Sequence, residues 1–477
     1  MPAGSSYRPA PLWAELGEGF SDPVAPARFP QHRLRFRNQR HAASVGLDGL
    51  DAGEWERHFA AFEPLPDNLG VPQAVRYHGH QFRTYNPQIG DGRGFLFAQL
   101  RDTEGRLLDL ATKGSGQTPW SRQGDGRLTL KGGVREILAT ELLEALGVPT
   151  SKTFSLFETG EALQRGDEPS PTRSSVLVRL GHSHIRFGAF QRLVVLEEHE
   201  RLRTLLDYSI RHYAPEAADA DDPAAELVAI VVRRSAALCA AWMAAGFVHG
   251  VLNTDNMNIT GESFDYGPWR FLPRYDLSFT AAYFDHTGLY AYGRQPDAVF
   301  WNLQRFAETL LGLSSEDALR GALDPFAETF FREYREAMLR RLGLCPLGDE
   351  RDEDLLSLLR AFLQESGVGY ERFFFDWWGG VASRERARGG PAAAFYKVAA
   401  FEPLERALAG YDPEDPARLS DAYFARENPC TLLVEEVEAL WDPIAERDDW
   451  QPLDAKIEEI RAMGRVLMPG ANPSEAG

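Results

Sequence analysis

Partway along this 477-residue chain, the apolar residues change from the spacing of strands to the spacing of helices. Residues 94–101 and 106–113 read as two strands joined by a turn, which predicts a β-hairpin. Residues 134–146 carry apolar side chains at helical spacing and are followed by a glycine, which predicts a helix. Two more strand-like runs follow at 153–158 and 174–180. The first part of the chain is therefore predicted to be a small β-rich unit with one helix.

From about residue 186 the helical pattern dominates. The clearest predicted helices are residues 223–246, 298–313, 325–342, 352–365 and 430–447. Strands and helices that are segregated along the chain predict an α+β fold, with a small β-rich lobe first and a large, mostly helical lobe second. The expected divisions are an N-terminal extension over residues 1–80, the β-rich lobe over 81–182 and the helical lobe over 183–477.

Charge and cysteine content exclude several classes of protein. The 51 basic and 70 acidic side chains leave a net charge of −19, which disfavours a nucleic-acid partner. Three widely spaced cysteines exclude a disulfide scaffold and favour a reducing compartment. The first 20 residues lack the features of a secretory signal, and the longest apolar run, residues 236–248, is too short to span a membrane. We therefore expect a cytoplasmic protein with no membrane partner.

A glycine-rich segment immediately precedes the first predicted strand, where Gly90, Gly92 and Gly94 alternate with Asp91 and Arg93. Glycines spaced in this way let the backbone approach a phosphate closely and direct amide groups towards it. A simple glycine-rich turn between strands would show the same pattern.

Lys113 ends the second strand of the hairpin, and a glycine loop followed by a strand lysine is the arrangement of a protein kinase nucleotide site. On the next predicted helix, Glu136 shares a face with apolar side chains, where a solvated carboxylate is poorly placed. Two interpretations remain open. Glu136 either pairs with Lys113, or it is a surface carboxylate in a first helical turn that interacts favourably with the helix dipole.

Residues 247–259 resemble a kinase catalytic loop that lacks its usual base. Asn256 stands seven residues after His249, the spacing of the metal-binding asparagine, but Val251 occupies the position of the catalytic aspartate. The Asp-x-Gly sequence that begins at Asp265 has the form of the second metal-binding element. Asp255 is the obvious substitute base. A base displaced by four positions could act at a different phosphorus of the nucleotide.

Two arginines, Arg179 and Arg186, flank a segment that contains His182 and His184. Arginine forks suit phosphate oxygens, although surface arginines are common in this arginine-rich chain. The two histidines lack accompanying ligands at metal-binding spacing, so we interpret them as structural.

Residues 77–82, 86–94, 113–119 and 249–257 together resemble the selenoprotein O family of pseudokinase-like protein adenylyltransferases. The runs are Tyr-His-Gly-His-Gln-Phe, Asn-Pro-Gln-Ile-Gly-Asp-Gly-Arg-Gly, Lys-Gly-Ser-Gly-Gln-Thr-Pro and His-Gly-Val-Leu-Asn-Thr-Asp-Asn-Met. Similarity continues through residues 292–294 and, more loosely, into the helical half. Many family members carry a cysteine or selenocysteine close to the C-terminus, whereas the last cysteine here is Cys430, so a thiol switch in the tail is not expected.

The resemblance implies a protein-kinase-like bilobal fold that binds ATP in reversed orientation and transfers AMP to protein Ser, Thr or Tyr hydroxyls, releasing pyrophosphate. It implies Asp255 as the general base, Asn256 and Asp265 as ligands of Mg²⁺ or Mn²⁺, and Glu136 as the partner of Lys113. Asp265 is also expected at the nucleotide. The other implied nucleotide contacts are Gly90, Gly92, Arg93, Lys113, Asp125, Gly126, Arg179 and Arg186. The arginine pair would hold the γ-phosphate.

Three alternatives to AMP transfer remain: uridylyl transfer from UTP with Mn²⁺, phosphoryl transfer, and a catalytically inactive ATP-binding scaffold. ATP labelled at the α- or the γ-phosphate separates AMP transfer from phosphoryl transfer. The family's association with redox homeostasis makes redox proteins candidate substrates, and self-modification is a further candidate reaction. Nothing in the sequence requires more than a monomer.

Overall fold

The computed structural model describes residues 6–166 and 168–469, and 47% of the chain is helical. Its main feature in the first half is a curled antiparallel sheet of eight strands. The described residues form twelve strands: β1 (Ser21–Pro23), β2 (Arg33–Arg37), β3 (Gln73–Val75), β4 (Gly79–Gln81), β5 (Thr84–Asn86), β6 (Leu96–Arg101), β7 (Leu107–Lys113), β8 (Leu128–Thr129), β9 (Lys152–Leu163), β10 (Thr172–Gly181), β11 (Phe247–Val248) and β12 (Arg270–Phe271). The mixed α and β content agrees with the α+β class predicted from the sequence.

The sheet runs in the order β1-β3-β6-β7-β10-β9-β2, and β8 pairs with β10. The predicted hairpin is confirmed as β6 and β7, and every residue of β7 is buried. The two later strands are longer than predicted. Strand β9 continues to Leu163 and β10 already begins at Thr172, because the polar ends of the two strands pair with each other as a hairpin. Pairing of Leu177 with Lys113 places the lysine in the middle of the sheet.

Residues before the predicted β-rich lobe also build this sheet. Strands β1 and β3 form one edge of the sheet, where β3 pairs with β6. Strand β2 forms the other edge and pairs with β9. Two short helices, α1 (Gln39–Ser44) and α2 (Ala52–Phe59), cover its outer face. There Trp55 and Phe59 pack on Phe154 of β9, with ring centroids 5.0 and 5.2 Å away. This aromatic core makes the N-terminal segment part of the sheet's packing.

Helix α3 (Leu130–Ala145) packs on the other face of the sheet. It begins four residues earlier than predicted, because the Thr129 side chain accepts a hydrogen bond from the amide of Gly132 and caps the first turn. Most of its side chains are buried, including Glu136 and Glu141.

The second half is helical, as predicted. Its helices are α4 (Phe187–Val195), α5 (His199–Tyr213), α6 (Pro223–Ala244), α7 (Gln295–Glu308), α8 (Glu316–Leu323), α9 (Phe326–Leu342), α10 (Asp349–Ser366), α11 (Tyr370–Asp376), α12 (Arg384–Gly389), α13 (Glu402–Leu408), α14 (Val434–Arg447) and α15 (Gln451–Leu467). Helix α6 is long and apolar enough to cross a membrane, but 72% of its most apolar window is buried inside the protein.

The last two helices return to the sheet. Helix α14 begins at Val434 rather than at residue 430, because the Glu436 side chain accepts from the amide of Leu433 and caps the helix there. Helix α15 packs along α3, where Arg461 donates two hydrogen bonds, of 2.8 and 2.9 Å, to the buried carboxylate of Glu141. The helix that carries Glu136 is thereby held between the sheet and the C-terminal helices.

Candidate active site

A cleft of about 680 Å³ lies where the sheet, the glycine-rich segment and the loops of the helical half meet. Ten of the twelve site residues predicted from the sequence line it: Gly90, Gly92, Arg93, Lys113, Asp125, Gly126, Arg179, Arg186, Asp255 and Asp265. Of the other two, Glu136 lies behind Lys113, and Asn256 directly follows Asp255. Residues spread over more than 170 positions therefore converge on one cavity.

Lys113 and Glu136 form a buried ion pair. The lysine ends β7 and is 4% exposed, the glutamate lies on α3 and is 1% exposed, and Nζ and Oε1 are 2.5 Å apart. The structure therefore supports the first interpretation of Glu136, the ion pair with Lys113. A buried charge that lost its partner would cost about 3–5 kcal/mol, so each side chain fixes the other. The ammonium group is held at the floor of the cleft.

Three cations surround Asp265, and we call Lys113, Arg179 and Arg186 with this aspartate the phosphate cluster. Lys113 Nζ lies 2.7 Å from Oδ1, Arg179 Nη1 lies 3.5 Å from the same oxygen, and Arg186 Nη1 lies 3.5 Å from Oδ2. Burial raises the pKa of Asp265, but these charges together lower it well below the usual value. The carboxylate is therefore ionised at neutral pH.

The arginines of the phosphate cluster have unused donors. Arg179 Nη1 and Arg186 Nε are buried and form no hydrogen bond. The Arg186 guanidinium lies over the rings of Tyr77 and Phe264, 4.6 and 4.9 Å from their centroids, which holds it in place without satisfying its N–H groups. Buried donors without acceptors are costly, and they are suited to an anionic ligand that supplies oxygens.

Asp255 lies beside this cluster in a short 3-10 helix, Thr254–Asn256. Arg186 Nη1 donates to its main-chain oxygen at 2.7 Å, and its side-chain Oδ1 is buried without a hydrogen bond. Burial raises the pKa of the Asp255 carboxyl to about 6, although the charge of Arg186 opposes the shift. A carboxylate with such a pKa is ionised at neutral pH and is basic enough to take a proton.

Asn256 does not line the cleft, although it adjoins Asp255. Its Nδ2 donates to the main-chain oxygen of Val251 at 2.9 Å, which fixes the amide and leaves the Oδ1 atom as a possible metal ligand. Within residues 6–166 and 168–469, no group of three or more His, Cys, Asp and Glu side chains could hold a metal by itself. A site of one carboxylate and one amide oxygen fits Mg²⁺, which usually keeps several waters and binds substrate phosphates.

The glycine-rich segment is anchored by Asp91. This buried carboxylate accepts from the amide of Val75 at 3.1 Å, and its Oδ2 lies 2.7 Å from Nε2 of His184. The expectation that His184 is structural fits these contacts. The glycines have a second role, since a Cβ at Gly90 would lie 2.5 Å from the ring of Trp120. They let the loop that follows β7 pack directly onto the segment.

Several cleft residues were missed by the sequence analysis. They include Tyr77, Gln81, Trp120, Arg122, Gln123, Arg127 and Arg165. Arg165 Nη1 pairs with Asp125 Oδ2 at 2.8 Å, across the outer end of the cleft. Asp91 could have been identified from the sequence, because a carboxylate inside a candidate phosphate loop needs a buried cationic or donor partner. The others carry no local pattern that separates them from surface residues.

Comparison with known proteins identifies the family of this chain. The family described as "Protein adenylyltransferase SelO" matches residues 5–461. Proteins named "Protein nucleotidyltransferase YdiU" are similar over most of their length: 45% identical in Gloeobacter violaceus, covering 94% of both chains, and 43% identical in Trichormus variabilis, covering 96% of both. The protein of that name from Pseudomonas putida is 37% identical over 76% of this chain and 74% of its own. The chain thus belongs to the SelO family and is a nucleotidyltransferase.

Proposed function

We propose that this enzyme transfers AMP from ATP to Ser, Thr or Tyr hydroxyls of proteins, within a kinase-like two-lobed architecture. The observation that carries the proposal is the phosphate cluster with its unused arginine donors beside Asp255. Two buried arginines in addition to the strand lysine provide a place for the outer phosphates of a triphosphate. The innermost phosphorus then faces Asp255.

Asp255 supplies the proton chemistry in this proposal. Its carboxylate accepts the proton of the acceptor hydroxyl, and the hydroxyl oxygen forms a bond to the α-phosphorus. The bond between that phosphorus and the bridging oxygen of the β-phosphate breaks, and pyrophosphate leaves with its charge held by Arg179 and Arg186. Such transfers need positioning and neutralisation of phosphate charge more than covalent participation of the protein.

Asn256 and Asp265 are the residues proposed to hold Mg²⁺ or Mn²⁺. When bound, the cation would neutralise phosphate oxygens at the reacting end of the nucleotide. Lys113 remains paired with Glu136 and keeps its charge near the phosphates. Arg186 connects the two parts of the site, because it lies 3.5 Å from Asp265 and donates to the main chain of Asp255.

The reaction is tested with ATP carrying radioactive phosphorus at either the α- or the γ-position, and with α-labelled UTP. We expect protein-bound label from α-labelled ATP and none from γ-labelled ATP. Label from the γ-position alone would show phosphoryl transfer, and label from UTP in preference to ATP would show uridylyl transfer. Absence of all labelling while ATP still binds would show a scaffold.

The role of Asp255 is tested by Asp255→Asn. We expect nucleotide affinity to be retained and the transfer rate to fall by about 10²–10⁴-fold, the usual contribution of a general base. Asp276→Asn is the matched control, since that carboxylate lies in an exposed turn and accepts hydrogen bonds from Ser278. Full transfer by Asp255→Asn would remove the proposed base.

A further inference from the structure

Three exposed aromatic side chains form a continuous surface beside the cleft. Phe82, Tyr283 and Phe284 are 38%, 79% and 41% exposed. The ring centroids of Phe82 and Phe284 are 6.0 Å apart, and those of Tyr283 and Phe284 are 5.1 Å apart. Clustered exposed apolar side chains mark interaction sites more often than isolated ones do. We call these three residues the aromatic surface.

The hairpin that presents Phe82 has an unfavourable backbone. Strands β4 and β5 are joined by Phe82 and Arg83, whose φ angles are 50° and 64°. Two successive non-glycine residues in the left-handed region are uncommon, and each costs on the order of 1 kcal/mol. The surrounding contacts therefore hold the ring of Phe82 outside the core against a local preference.

Those contacts come from the loop that carries Asp255. Asn253 Oδ1 accepts from the amide of Phe82 at 3.0 Å and from the hydroxyl of Tyr290 at 2.7 Å. Thr254 Oγ1 accepts from the amide of His80 at 2.7 Å. Asn253 and Thr254 directly precede Asp255. The aromatic surface is thereby held in a fixed position relative to the proposed base.

Two exposed arginines flank the aromatic surface, since Arg83 follows Phe82 and Arg294 donates to the main-chain oxygen of Gly288. Arg83 and Arg294 are exposed, and neither forms an ion pair with any described carboxylate. The nearby Asp285 is buried and accepts from the amides of Leu289 and Tyr290. On a chain of net charge −19, this local cationic rim favours an acidic partner segment that the rest of the surface would repel.

The aromatic surface adjoins the cleft through the β4–β5 hairpin, since Gln81 lines the cleft and Phe82 directly follows it. An acceptor hydroxyl that reaches Asp255 along this hairpin would bring its neighbouring side chains against the aromatic surface. We propose that the aromatic surface binds the acceptor segment of the protein substrate, through an apolar side chain next to the modified residue and an acidic residue beyond it. This inference rests on the proposed function, which places the acceptor hydroxyl at Asp255.

The test uses four short synthetic peptides, each with one Tyr acceptor flanked by Leu or Gly and followed by Asp or Lys. The enzymes are wild type, the double variant Tyr283→Ser/Phe284→Ser, and Phe331→Ser as the matched control. Phe331 is 61% exposed on α9, outside the aromatic surface. Transfer is followed with whichever labelled nucleotide the wild type uses.

We expect wild type and Phe331→Ser to prefer the Leu peptides by about tenfold in kcat/KM, roughly 1.4 kcal/mol. The double variant should lose this preference through a higher KM, with kcat and ATP affinity unchanged. We also expect the wild type to prefer the Asp peptides to the Lys peptides. A further variant, Arg83→Glu, should reverse that preference. Equal peptide preferences in the wild type and the double variant would overturn the proposal.

A second measurement separates this inference from the proposed reaction. Fluorescent versions of the peptides with Phe in place of the acceptor Tyr cannot be modified, and their binding is read by anisotropy. Tighter binding of the Leu peptide to wild type than to Tyr283→Ser/Phe284→Ser supports the aromatic surface even if no AMP is transferred. Equal binding to both contradicts it even if AMP transfer is established.

Discussion

Two clusters in this molecule each gather three cations around one aspartate, yet they differ in how their hydrogen bonds are used. The phosphate cluster surrounds Asp265 in the cleft. At the β2 edge of the sheet, Asp448 lies 3.4 Å from Arg33, 2.7 Å from Arg35 and 2.6 Å from Arg173. This second set, the Asp448 cluster, attaches the turn between α14 and α15 to β2 and β10.

In the Asp448 cluster the main donors are occupied. Arg35 and Arg173 also bind the carboxylate of Glu158, and Arg173 Nη1 donates to the main-chain oxygen of Ile444. In the phosphate cluster, Arg179 and Arg186 each keep a buried nitrogen without a partner. The Asp448 cluster thus satisfies its donors within the protein, whereas the phosphate cluster retains donors that a ligand could use. Of the three predictions below, the first and the last test this distinction, and the second tests a partly buried carboxylate that forms no ion pair with a described cation.

The largest effect is expected from Asp265→Asn. Asparagine tolerates the left-handed backbone of this residue, whose φ is 63°. Loss of the carboxylate should abolish metal-dependent transfer, by on the order of 10³-fold or more, because metal ligation contributes several kcal/mol to the transition state. ATP binding without metal should be retained or become tighter, since a negative charge leaves the phosphate cluster. Transfer across a Mg²⁺ titration and binding of a fluorescent ATP analogue measure the two effects.

Asp276→Asn serves again as the control for a lost exposed carboxylate. Near-normal Mg²⁺-dependent transfer by Asp265→Asn would contradict its role in the cluster.

An intermediate effect is expected at Glu262, a carboxylate without a cation at ion-pair distance in the described chain. Its Oε2 accepts from the amide of His182 at 2.7 Å. Burial raises the pKa of Glu262 from 4.5 in the unfolded chain to about 7. The folded protein therefore binds the proton more tightly, and the stability from this group falls as the pH rises from about 4.5 to 7.

Glu262→Gln should thus be more stable than wild type above pH 7, by ~2 kcal/mol in the free energy of unfolding, with the advantage lost near pH 5. Urea midpoints across this pH range measure it, with Glu365→Gln as an exposed control. A constant difference at every pH would show that the carboxylate is not perturbed.

The smallest effect is expected from Asp448→Asn. The side chain is 42% exposed, so its three ion pairs together contribute about 1 kcal/mol. Burial raises the pKa of Asp448, but hydrogen bonds from Arg173, Trp450 and Arg35 lower it below 3.8. Its stabilisation is present above the unfolded pKa and is lost as the pH falls through the folded one.

We therefore expect a slightly lower thermal midpoint for Asp448→Asn at pH 7, a similar difference at pH 5, a smaller difference below pH 3 and unchanged transfer activity. A substantial loss of nucleotidyl transfer in this variant would mean that the Asp448 cluster controls the active site.

Local patterns predicted the parts of the site that lie on regular elements. A strand lysine and a carboxylate on an apolar helix face left the Lys113–Glu136 pair as one of two interpretations, and the family resemblance implied the pair that the structure forms. The positions of Asp255 and Asp265 followed from motif spacing. The elements 94–101, 106–113 and 223–246 were predicted within a few residues of their observed bounds.

Long-range packing could not be predicted from the sequence. Strands β1 and β3 are only three residues long and gain their stability from pairing, so they carry no periodicity of their own. The contact of Arg461 with Glu141 joins residues 320 positions apart. The packing of Gly90 against Trp120 depends on the path of a loop, which no local pattern determines.

The orientation of the bound nucleotide tests the account most directly. A crystal structure with α,β-methylene-ATP and Mg²⁺, whose α–β linkage cannot be cleaved, would display it. We predict the γ-phosphate on Arg179 and Arg186 and the α-phosphorus nearest to Asp255. A γ-phosphorus nearest to Asp255 would contradict AMP transfer and indicate a phosphotransferase.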